Sequence, residues 1–435
     1  MTRNNKVDVG DQVSTSISPA GQAEALRMGI IGCGARGEAL MRIASEHLSI
    51  QWLGICEVYD ARLRKGLSIA GKDATGYKNY LEMLEREELD AVIIATPDHW
   101  HARMAIDAAR RGIHIYLEKC MTRTLEEAFA VRDAVRKSGV VFQLGHQGRQ
   151  RDLNHKAKDL IEKGTLGDIS LVETTTNRND SPTEWRFGGE GRATADSVDW
   201  ELFEGSASGS PVFSRDRYYG WRRYWDYSTG MSGDLFSNEY DAVNSILDMG
   251  IPRSVMASGG IYHHVDGREV PDVFQAAFEY PERQLTLLYS GTLASGIPRG
   301  TLFMGRDATL ELGRALTVWA DAYSSKYKGR IESAIIDPTT PFVRYETDRD
   351  DVDAISSPTT KYYADRGLIN TYRDGQKVNA TRLHLAEWLR CIRSGGTPSC
   401  HIERGFEEAV TAHMATLSYR EGRKVQWQAD DEIII

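Results

Sequence analysis

Three glycines near the start of the chain have the spacing of a phosphate-binding turn. Gly32, Gly34 and Gly37 form a G-x-G-x-x-G motif between an apolar run and a segment with helical periodicity. In such a turn the first glycine permits the tight bend, the second lets the backbone approach a pyrophosphate, and the third lets the helix pack closely on the strand. A helix N-terminus also attracts phosphate. In this context the motif predicts a dinucleotide site, to which Ala35 and Arg36 contribute.

An acidic residue follows the motif at the distance expected for ribose recognition. Glu57 lies twenty residues after Gly37, at the end of a second apolar run. A carboxylate there accepts hydrogen bonds from the ribose hydroxyls and repels a 2′-phosphate, so NAD is favoured over NADP. Arg62 and Arg64 lie close in sequence and keep NADP possible.

Lys119 is the main candidate for a group that takes a proton from an alcohol. Oxidation of an alcohol by hydride transfer requires a nicotinamide against the C–H bond, a proton acceptor for the hydroxyl, and exclusion of water. Burial and a positive nicotinamide ring would both lower the pKa of a lysine toward the working range.

The elements that must position these residues alternate over the first 150 residues. Short runs that are apolar throughout alternate with helical segments, which predicts a parallel sheet covered by helices on both faces. Thr124 and Glu127 form the capping box of one of these helices. We therefore predict a polar leader over residues 1–26 and an α/β Rossmann domain that binds NAD(P) over residues 27–150. The predicted strands are Leu26–Ile31 and residues 50–57, 90–96, 113–119 and 140–145.

The alternation breaks down after about residue 150. Successive strand-like runs joined by Gly, Pro and Asp predict an α+β domain over residues 151–435, with a large, mostly antiparallel open sheet and helices on one face. Residues 325–380 are polar and irregular, which is typical of an insertion or a loop that embraces another subunit. The predicted strands lie within residues 168–179, 252–265, 272–281, 283–292, 301–313 and 317–325, and the C-terminal helices within residues 381–395 and 403–422.

Four segments, in this order, resemble the Gfo/Idh/MocA family, the glucose–fructose oxidoreductase and inositol dehydrogenase group. They are ATPDHWHARMAIDAARRGIHIYLEK (95–119), GHQGRQ (145–150), WRRYWDYSTGMSGDLFSNEYDAVNSIL (221–247) and EWLRCIRSGGTPSCHIERGFEEAV (387–410). The resemblance covers roughly residues 27–430. It implies C-terminal helices that return to the first domain, and a homodimer or homotetramer formed through the second-domain sheet.

The resemblance also implies roles for individual residues around the cofactor. Thr96 and Pro97 match the turn after the fourth-strand core, and Glu118 and Lys119 match the family's Glu-Lys-Pro turn, whose lysine reaches substrate and nicotinamide. Cys120 replaces the proline of that turn. A cis bond before a residue other than proline costs about 2.5–4 kcal/mol, so the turn that aims Lys119 could differ.

A second departure concerns the family's Asp-x-x-x-His pair. Asp234 matches its aspartate and could orient the substrate hydroxyl or tune Lys119, although its position after Gly233 also suits a helix cap. Asn238 occupies the position of the histidine. Side chains four residues apart on a helix share a face. An amide cannot act as a general base, although it can donate and accept hydrogen bonds to a sugar. We therefore assign Lys119, Asp234 and Asn238 to both the catalytic and the substrate-binding set.

The histidines give further candidates. His99 and His101 could line the nicotinamide pocket, or could equally be packed or surface residues. His146 and His155 are rival acid–base groups that could replace the missing histidine.

Arginines and aromatic residues complete the predicted substrate site. Arg149, at the domain junction, and more weakly Arg186 are predicted substrate contacts. Trp221 and Tyr224, in RYYGWRRYWDY, could stack on the apolar face of a sugar, while core packing or a subunit contact would explain them equally well.

Composition excludes several classes of protein. A net charge of −9 argues against a nucleic-acid partner, and the apolar runs are too short to span a membrane. Five cysteines, an odd number without C-x-x-C spacing, argue against a disulfide framework or a metal site and favour the cytoplasm. The polar leader lacks the charged, apolar and small-residue order of a secretion signal.

These residues together predict an NAD-dependent oxidoreductase. The expected reaction transfers hydride between the nicotinamide and a ring secondary hydroxyl of a sugar, glycoside or cyclic polyol. Two alternatives stay open: an NAD-dependent glycosidase or lyase that uses transient oxidation, and a catalytically lapsed sugar-binding protein.

Overall fold

The structure is a computed structural model that describes residues 25–179, 193–205, 207, 209–346, 369–373 and 375–435. Most of the predicted polar leader, part of the predicted insertion and the candidate Arg186 lie outside the described residues.

The first half of the chain forms a six-stranded parallel sheet. Its strands are β1 (Leu26–Ile31), β2 (Ile50–Cys56), β3 (Thr75–Tyr77), β4 (Ala91–Ile94), β5 (His114–Leu117) and β6 (Phe142–Leu144). Its helices are α1 (Ala35–His47), α2 (Asp60–Ala70), α3 (Tyr80–Arg86), α4 (Asp98–Arg110) and α5 (Leu125–Ser138). The strand order β3-β2-β1-β4-β5-β6 reverses between β1 and β4, and ligands bind outside the carboxyl ends of strands at such a point. The predicted α/β fold is confirmed.

Local sequence accounts for the regular elements of this sheet. All four residues of β4 are buried, as expected for a strand covered on both faces. The predicted capping box is present at α5, where Thr124 and Glu127 each accept a hydrogen bond from the other's backbone N–H. Gly139 ends that helix in the left-handed conformation that glycine adopts without strain.

The second half of the chain builds a ten-stranded sheet. Its strands are β7 (Ile169–Asn177), β8 (Ser254–Gly260), β9 (Val273–Tyr280), β10 (Leu285–Thr292), β11 (Thr301–Gly305), β12 (Ala308–Leu312), β13 (Ala315–Ala320), β14 (Val343–Glu346), β17 (Val425–Gln428) and β18 (Ile433–Ile434). A separate hairpin contains β15 (Asn370–Arg373) and β16 (Gln376–Asn379). Among the described strands, β7 and β10 form the one parallel pair of the large sheet, so the predicted mostly antiparallel sheet is confirmed.

Helices cover one face of this large sheet. Those that contact its strands are α6 (Asp152–Glu162), α9 (Ser237–Leu247) and α12 (Ile402–Glu421). The other described helices of this half are α7 (Trp200–Glu204), α8 (Arg215–Tyr219), α10 (Lys328–Glu332) and α11 (Ala380–Ser394). Neighbouring strands place one row of fully buried side chains under the helices. The row consists of Val255, Phe278, Leu287, Val172 and Phe303.

The two C-terminal helices pack on the first sheet. Leu385, Trp388 and Leu389 of α11 join the core that contains Met28 and Trp52. α12 lies against α5 and contacts β6 of the first sheet and β8 of the large sheet, so it contacts both sheets. None of the helices in the described ranges is long and apolar enough to cross a bilayer.

Candidate functional site

One cavity joins the glycine motif to Lys119. Its volume is about 700 Å³, and it lies outside the carboxyl ends of the strands of the first sheet. Residues of the second half of the chain close it on the other side. Its lining includes Gly32, Gly34, Ala35, Arg36, Glu57, Arg62, Thr96, Pro97, Trp100, Arg103, Met104, Glu118, Lys119, Gln147, Arg178, Phe203, Tyr218, Trp221, Arg222, Asp234 and Asn238.

The glycine motif has the geometry of a dinucleotide cradle. Gly32 has φ +93°, and a Cβ there would lie 2.6 Å from the Ala95 carbonyl oxygen. A Cβ on Gly37 would lie 2.0 Å from the Gly32 carbonyl oxygen, so α1 packs on the turn only because this residue is glycine. The Cβ position of Gly34 is open, with its nearest neighbour 3.6 Å away at Arg62 Nη1. The open space at Gly34 is what the approach of a pyrophosphate requires.

Glu57 lies at the end of β2 beside this cradle. It is 6% exposed, and its carboxylate accepts hydrogen bonds from the backbone N–H groups of Cys33, at 2.8 Å, and Tyr59, at 3.0 Å. These two bonds hold the carboxylate in the cavity wall, where a bound ribose would lie. Arg62 lines the cavity beside it, whereas Arg64 is exposed and does not line it.

Second-domain residues cover the Glu57 end of the cavity. The backbone of Val58 and Asp60 pairs with that of Ser197 and Asp199 through hydrogen bonds of 3.0 and 3.1 Å. Arg62 Nη1 donates to the Tyr218 hydroxyl at 3.0 Å, and its guanidinium also lies 5.3 Å from the centre of the Tyr218 ring. We call this contact region the clasp; it consists of residues 58–62, 197–199 and 218.

Arg36 and Glu118 join the glycine motif to the end of β5. Arg36 Nε donates to Glu118 Oε1 at 2.7 Å, and its Nη2 donates to Gln147 Oε1 at 3.2 Å. Glu118 is 8% exposed, whereas 33% of the Arg36 side chain is exposed, so the carboxylate is the buried partner of this pair. Gln147 was missing from the predicted set, although it lies inside the quoted segment GHQGRQ.

Lys119 and Asp234 meet at the far end of the cavity. Lys119 Nζ donates to Asp234 Oδ1 at 2.6 Å and to the Asp234 carbonyl oxygen at 2.5 Å. Arg222 Nε also donates to Asp234 Oδ1, at 3.2 Å. Burial alone would raise the pKa of Asp234, but the charges of Lys119 and Arg222 lower it well below its usual range. The carboxylate is therefore ionised throughout the working range of pH.

The turn after β5 keeps Lys119 in the cavity although the proline is absent. The Lys119–Cys120 peptide bond is cis. With Cys120 in the place of the family's proline, Lys119 Nζ reaches the carboxylate of Asp234.

Asn238 lies one turn after Asp234, across a π-helical turn (Ser232–Phe236) that leads into α9. Both side chains line the cavity, as expected for residues that share a helix face. Asn238 Nδ2 donates to the Asp234 carbonyl oxygen at 3.2 Å. Its amide is thus close to the Lys119–Asp234 pair.

Two predicted cofactor ligands on α4 do not line the cavity. His99 contacts the Phe203 carbonyl oxygen through Nε2 at 2.9 Å and packs against the ring of Tyr227, and burial lowers its pKa to about 4. His101 is fully buried and contacts the carbonyl oxygens of Thr96 and Cys120. These positions correct the prediction of direct contact: His99 is a packed residue, and His101 supports the backbone on both sides of the site.

Two predicted substrate contacts are also corrected. Arg149 forms a buried ion pair with Asp241, at 2.7 Å, and donates to the Ser399 carbonyl oxygen at 2.7 Å. The Tyr224 hydroxyl donates to Asp216, and Tyr224 is 8% exposed. The Arg149 guanidinium and the Tyr224 hydroxyl thus have partners outside the cavity lining, whereas Trp221 lines the cavity.

The two rival acid–base histidines lie elsewhere. His146 is 3% exposed, with Nε2 4.0 Å from Glu408 Oε2. His155 Nε2 lies 3.3 Å from Arg373 Nη2. Neither lines the cavity, so neither replaces the missing histidine there. Within the described part of the chain, no group of three His, Cys, Asp or Glu side chains is placed to hold a metal ion.

Sequence reasoning missed several lining residues. Trp100, Arg103 and Met104 lie on one face of α4, with the i, i+3, i+4 spacing that could have indicated them. Arg222 was quoted within an aromatic segment but was not assigned a role. Arg178, directly after β7, carried no recognisable pattern.

Comparison with protein families assigns both halves of the chain. Residues 26–146 match the Gfo/Idh/MocA model described as oxidoreductase family, NAD-binding Rossmann fold. Residues 158–427 match the model of the same family's C-terminal alpha/beta domain. The chain belongs to the Gfo/Idh/MocA oxidoreductase family. This family is the one that the sequence segments resembled.

Curated relatives of the family match parts of the chain. The rhizopine catabolism protein MocA of Rhizobium meliloti is 33% identical over 146 residues, which are 34% of this chain and 45% of the relative. A levoglucosan dehydrogenase of Pseudarthrobacter phenanthrenivorans is 28% identical over 250 residues, 54% of this chain and 57% of the relative. The chain thus spans about half the length of these two relatives. An uncharacterized oxidoreductase of Streptococcus pneumoniae is 23% identical over 421 residues, which are 92% of this chain and 98% of the relative.

Solved structures share the whole fold. A levoglucosan dehydrogenase in complex with NADH and L-sorbose has a TM-score of 0.65 at 18% identity, covering 93% of this chain and 99% of its own. The WlbA dehydrogenase from Bordetella pertussis, in complex with NADH and UDP-GlcNAcA, has a TM-score of 0.64 at 17% identity. The match covers 94% of this chain and 100% of the WlbA chain. At these identities the likeness concerns the fold.

Proposed function

We propose that this protein is an NAD-dependent oxidoreductase that transfers hydride between the nicotinamide and a ring secondary hydroxyl of a sugar, glycoside or cyclic polyol. The observation that carries the proposal is the cavity that begins at the glycine cradle and ends at the hydrogen-bonded pair of Lys119 and Asp234. The family's NAD-binding Rossmann fold supports the cofactor. The relative named levoglucosan dehydrogenase supports the substrate class.

The described residues fit NAD along the length of the cavity. The open position at Gly34 and the N-terminus of α1 suit the pyrophosphate. Glu57 suits the adenosine ribose and disfavours a 2′-phosphate, which supports NAD over NADP. When bound, NAD supplies the acceptor for the hydride that leaves the carbinol carbon.

Lys119 is proposed to move the proton. In its amine form, Nζ accepts the hydroxyl proton as the C–H bond breaks and the carbonyl forms, and it becomes an ammonium. In the reverse direction the ammonium returns that proton to the carbonyl oxygen. Asp234 stabilises the ammonium through the 2.6 Å hydrogen bond and fixes the direction of Nζ.

Other lining residues are proposed to hold the substrate. The amide of Asn238 can donate to one ring hydroxyl and accept from another. The ring of Trp221 offers an apolar face for the C–H side of a sugar, and the guanidinium of Arg222 lies 4.1 Å from the centre of that ring. These groups orient the substrate and exclude water, while Lys119 takes part in the chemistry.

The proposal is tested by a Lys119→Met variant. NADH formation at 340 nm is measured with a panel of sugars, glycosides and cyclic polyols for the native protein and the variant. We expect kcat/KM to fall about 100-fold or more, because the proton acceptor is lost. NAD affinity, measured by calorimetry, should change little. A Lys163→Met control removes a surface lysine that pairs with Asp159 and should behave as the native protein. Native-like turnover in Lys119→Met would refute the proposed role.

The same assay separates the two alternatives. A glycosidase that uses transient oxidation would cleave a glycoside without steady release of NADH. A lapsed binding protein would bind a sugar without forming NADH or a product. Either result with the native protein would replace the proposal.

We also propose that two copies associate through the face of the large sheet that the described helices leave uncovered; we call it the uncovered face. Registered positions on neighbouring strands place Met256, Ala277, Leu288 and Leu302 on this face, with Glu173 between the last two. Met256 is 45% exposed. A second copy would remove this largely apolar row from water. A homodimer or homotetramer in the cytoplasm, as expected from the sequence, is part of the proposal.

A further inference from the structure

Asp98 is a buried carboxyl group that the mechanism above does not use. It is the first residue of α4 and is 3% exposed. The N-terminus of a helix favours the charged form of a carboxyl group. Asp98 Oδ2 accepts a long hydrogen bond, 3.5 Å, from Thr229 Oγ1. Asp98 does not line the cavity and lies behind its wall.

Thr229 connects Asp98 to both halves of the catalytic pair. Thr229 Oγ1 lies 3.3 Å from the sulfur of Cys120, the residue that follows Lys119. A Cβ on Gly233, the residue before Asp234, would lie 1.7 Å from the same oxygen. The hydroxyl is thus packed between the two segments that carry the pair, and Asp98 lies directly behind it.

The charged and titratable groups that face Asp98 come from four elements. Burial has the largest effect on Asp98, and the pKa of its carboxyl group lies above the ordinary value. The charges of His101, Arg222 and Lys119 lower this pKa and so favour the carboxylate, whereas the charge of Asp234 raises it. His101 is on α4 itself, Lys119 follows β5, Arg222 is in the segment after α8, and Asp234 is in the π-helical turn.

The thiol of Cys120, the residue after Lys119, does not take part in the proton exchange of Lys119. Burial, and next the charge of Asp98, raise its pKa well above the usual range, so it stays neutral.

We propose that Asp98 is a positioning residue whose negative charge sets the pH at which Lys119 exchanges its proton with the substrate. The inference rests on the proposed function and names a residue that it does not require. A carboxylate close to Lys119 favours the ammonium form. Lys119 therefore becomes an amine, the form that oxidises an alcohol, only at a higher pH than it would without Asp98.

Asp98 itself takes no proton in this scheme. In alcohol oxidation the hydroxyl proton goes to Lys119 Nζ, the hydride goes to the bound NAD, and the carbonyl forms. In carbonyl reduction the ammonium of Lys119 returns the proton, so Asp98 extends carbonyl reduction to higher pH. Removal of the Asp98 charge should therefore move the acid limit of alcohol oxidation and the alkaline limit of carbonyl reduction, both to lower pH.

The test compares Asp98→Asn with the native protein over a range of pH. The amide keeps the shape of the side chain and removes its charge. We expect the acid limb of kcat/KM for oxidation to move down by about 0.5–1 pH unit. A second readout needs neither cofactor nor turnover: the rate at which Lys119 is acylated, followed by mass spectrometry in the cofactor-free protein. The pH at which this acylation rate is half-maximal should move down by the same amount.

A matched control removes the charge of a half-buried carboxylate, that of Glu127. Glu127→Gln changes the capping residue of α5, whose oxygen can still accept from the backbone N–H groups of Arg123 and Thr124. In Glu127→Gln, the acid limb of kcat/KM and the pH midpoint of Lys119 acylation should remain those of the native protein. A merely structural role for Asp98 would lower the melting temperature and leave both pH readouts in place.

Several outcomes decide the inference. Unchanged midpoints in a folded Asp98→Asn protein would overturn it, even if activity fell. If the asparagine variant does not fold, Asp98→Ser removes the charge with a residue that also suits a helix start, and the same shift is expected. Full activity in Lys119→Met would instead refute the proposed function, and the acylation midpoint would still decide the effect of Asp98.

Discussion

Lys119 and Asp234 lie 115 residues apart in sequence and share a hydrogen bond at the end of the cavity. Burial of two charges costs free energy that their attraction often only balances, so such a pair is weak evidence for stability. A lysine held beside an ionised carboxylate, at the end of a dinucleotide cavity, instead suits repeated transfer of a proton. The pair is therefore better explained by chemistry than by folding.

Two glycines of the motif should respond differently to the same substitution. In Gly37→Ala the added Cβ would meet the Gly32 carbonyl oxygen at 2.0 Å, so we expect a large fall in melting temperature. In Gly34→Ala the nearest atom is 3.6 Å away and φ is −65°, so stability should change by less than about 0.5 kcal/mol. NAD affinity should nevertheless fall about tenfold or more, since the methyl group occupies the space that the pyrophosphate needs.

Thermal unfolding without cofactor and calorimetric titration with NAD check this prediction. The two alanine variants serve as controls for each other, because they change the same loop by the same group. Tight NAD binding by Gly34→Ala would show that the pyrophosphate does not approach this position.

Several residues that line the cavity could be predicted from the sequence. The glycine motif, Glu57 and Lys119 were placed by their spacing relative to predicted strands, and Asp234 was placed by the family resemblance. His99 and Arg149 were misplaced because a residue type does not say which way a side chain points. On α4 the cavity face carries Trp100, Arg103 and Met104, and the histidines point away from it.

At the scale of elements, the clasp is the feature that sequence periodicity could not reveal. Its backbone pairing joins residues 58–60 to residues 197–199, and such long-range pairing leaves no local pattern. The short strand β3 was missed for a related reason, since three residues carry too little alternation to be recognised. Longer elements, such as α5 with its capping box, were predicted correctly because their signals are local.

The clasp should slow release of the cofactor. In Tyr218→Ala both the hydrogen bond to Arg62 and the contact of ring and guanidinium are lost. We expect NADH to dissociate about tenfold faster, which corresponds to about 1.4 kcal/mol. Stopped-flow displacement of NADH, followed by its fluorescence, measures the rate.

Tyr224→Ala is a matched control from the same aromatic cluster. It removes a ring of equal size whose hydroxyl donates to Asp216 away from the cavity. It should lower stability and leave the release rate near that of the native protein. Equal release rates in both variants would show that the clasp does not retain the cofactor.

At the scale of the whole molecule, the uncovered sheet face should determine the assembly. Leu288→Glu places a charge in the centre of the apolar row, opposite Ala277 and next to Glu173. We expect the variant to elute as a smaller species, because a buried, unpaired carboxylate opposes association. Size-exclusion chromatography with light scattering measures the mass.

Ser333→Glu adds the same charge at an exposed position after α10 and should leave the mass unchanged. A native protein that is monomeric at micromolar concentration, or a Leu288→Glu protein of native mass, would contradict association through this face.

The position of α11 has a consequence for how the chain is made. Trp388 is fully buried against one side of the first sheet, in the same core as Met28 and Trp52. α1 packs on the same side, but the cover is complete only after the ribosome has synthesised the chain as far as α11. We expect that a truncated product ending near residue 150 would aggregate, and that grafting this nucleotide-binding half onto another protein would succeed only if the distant helix were transplanted with it.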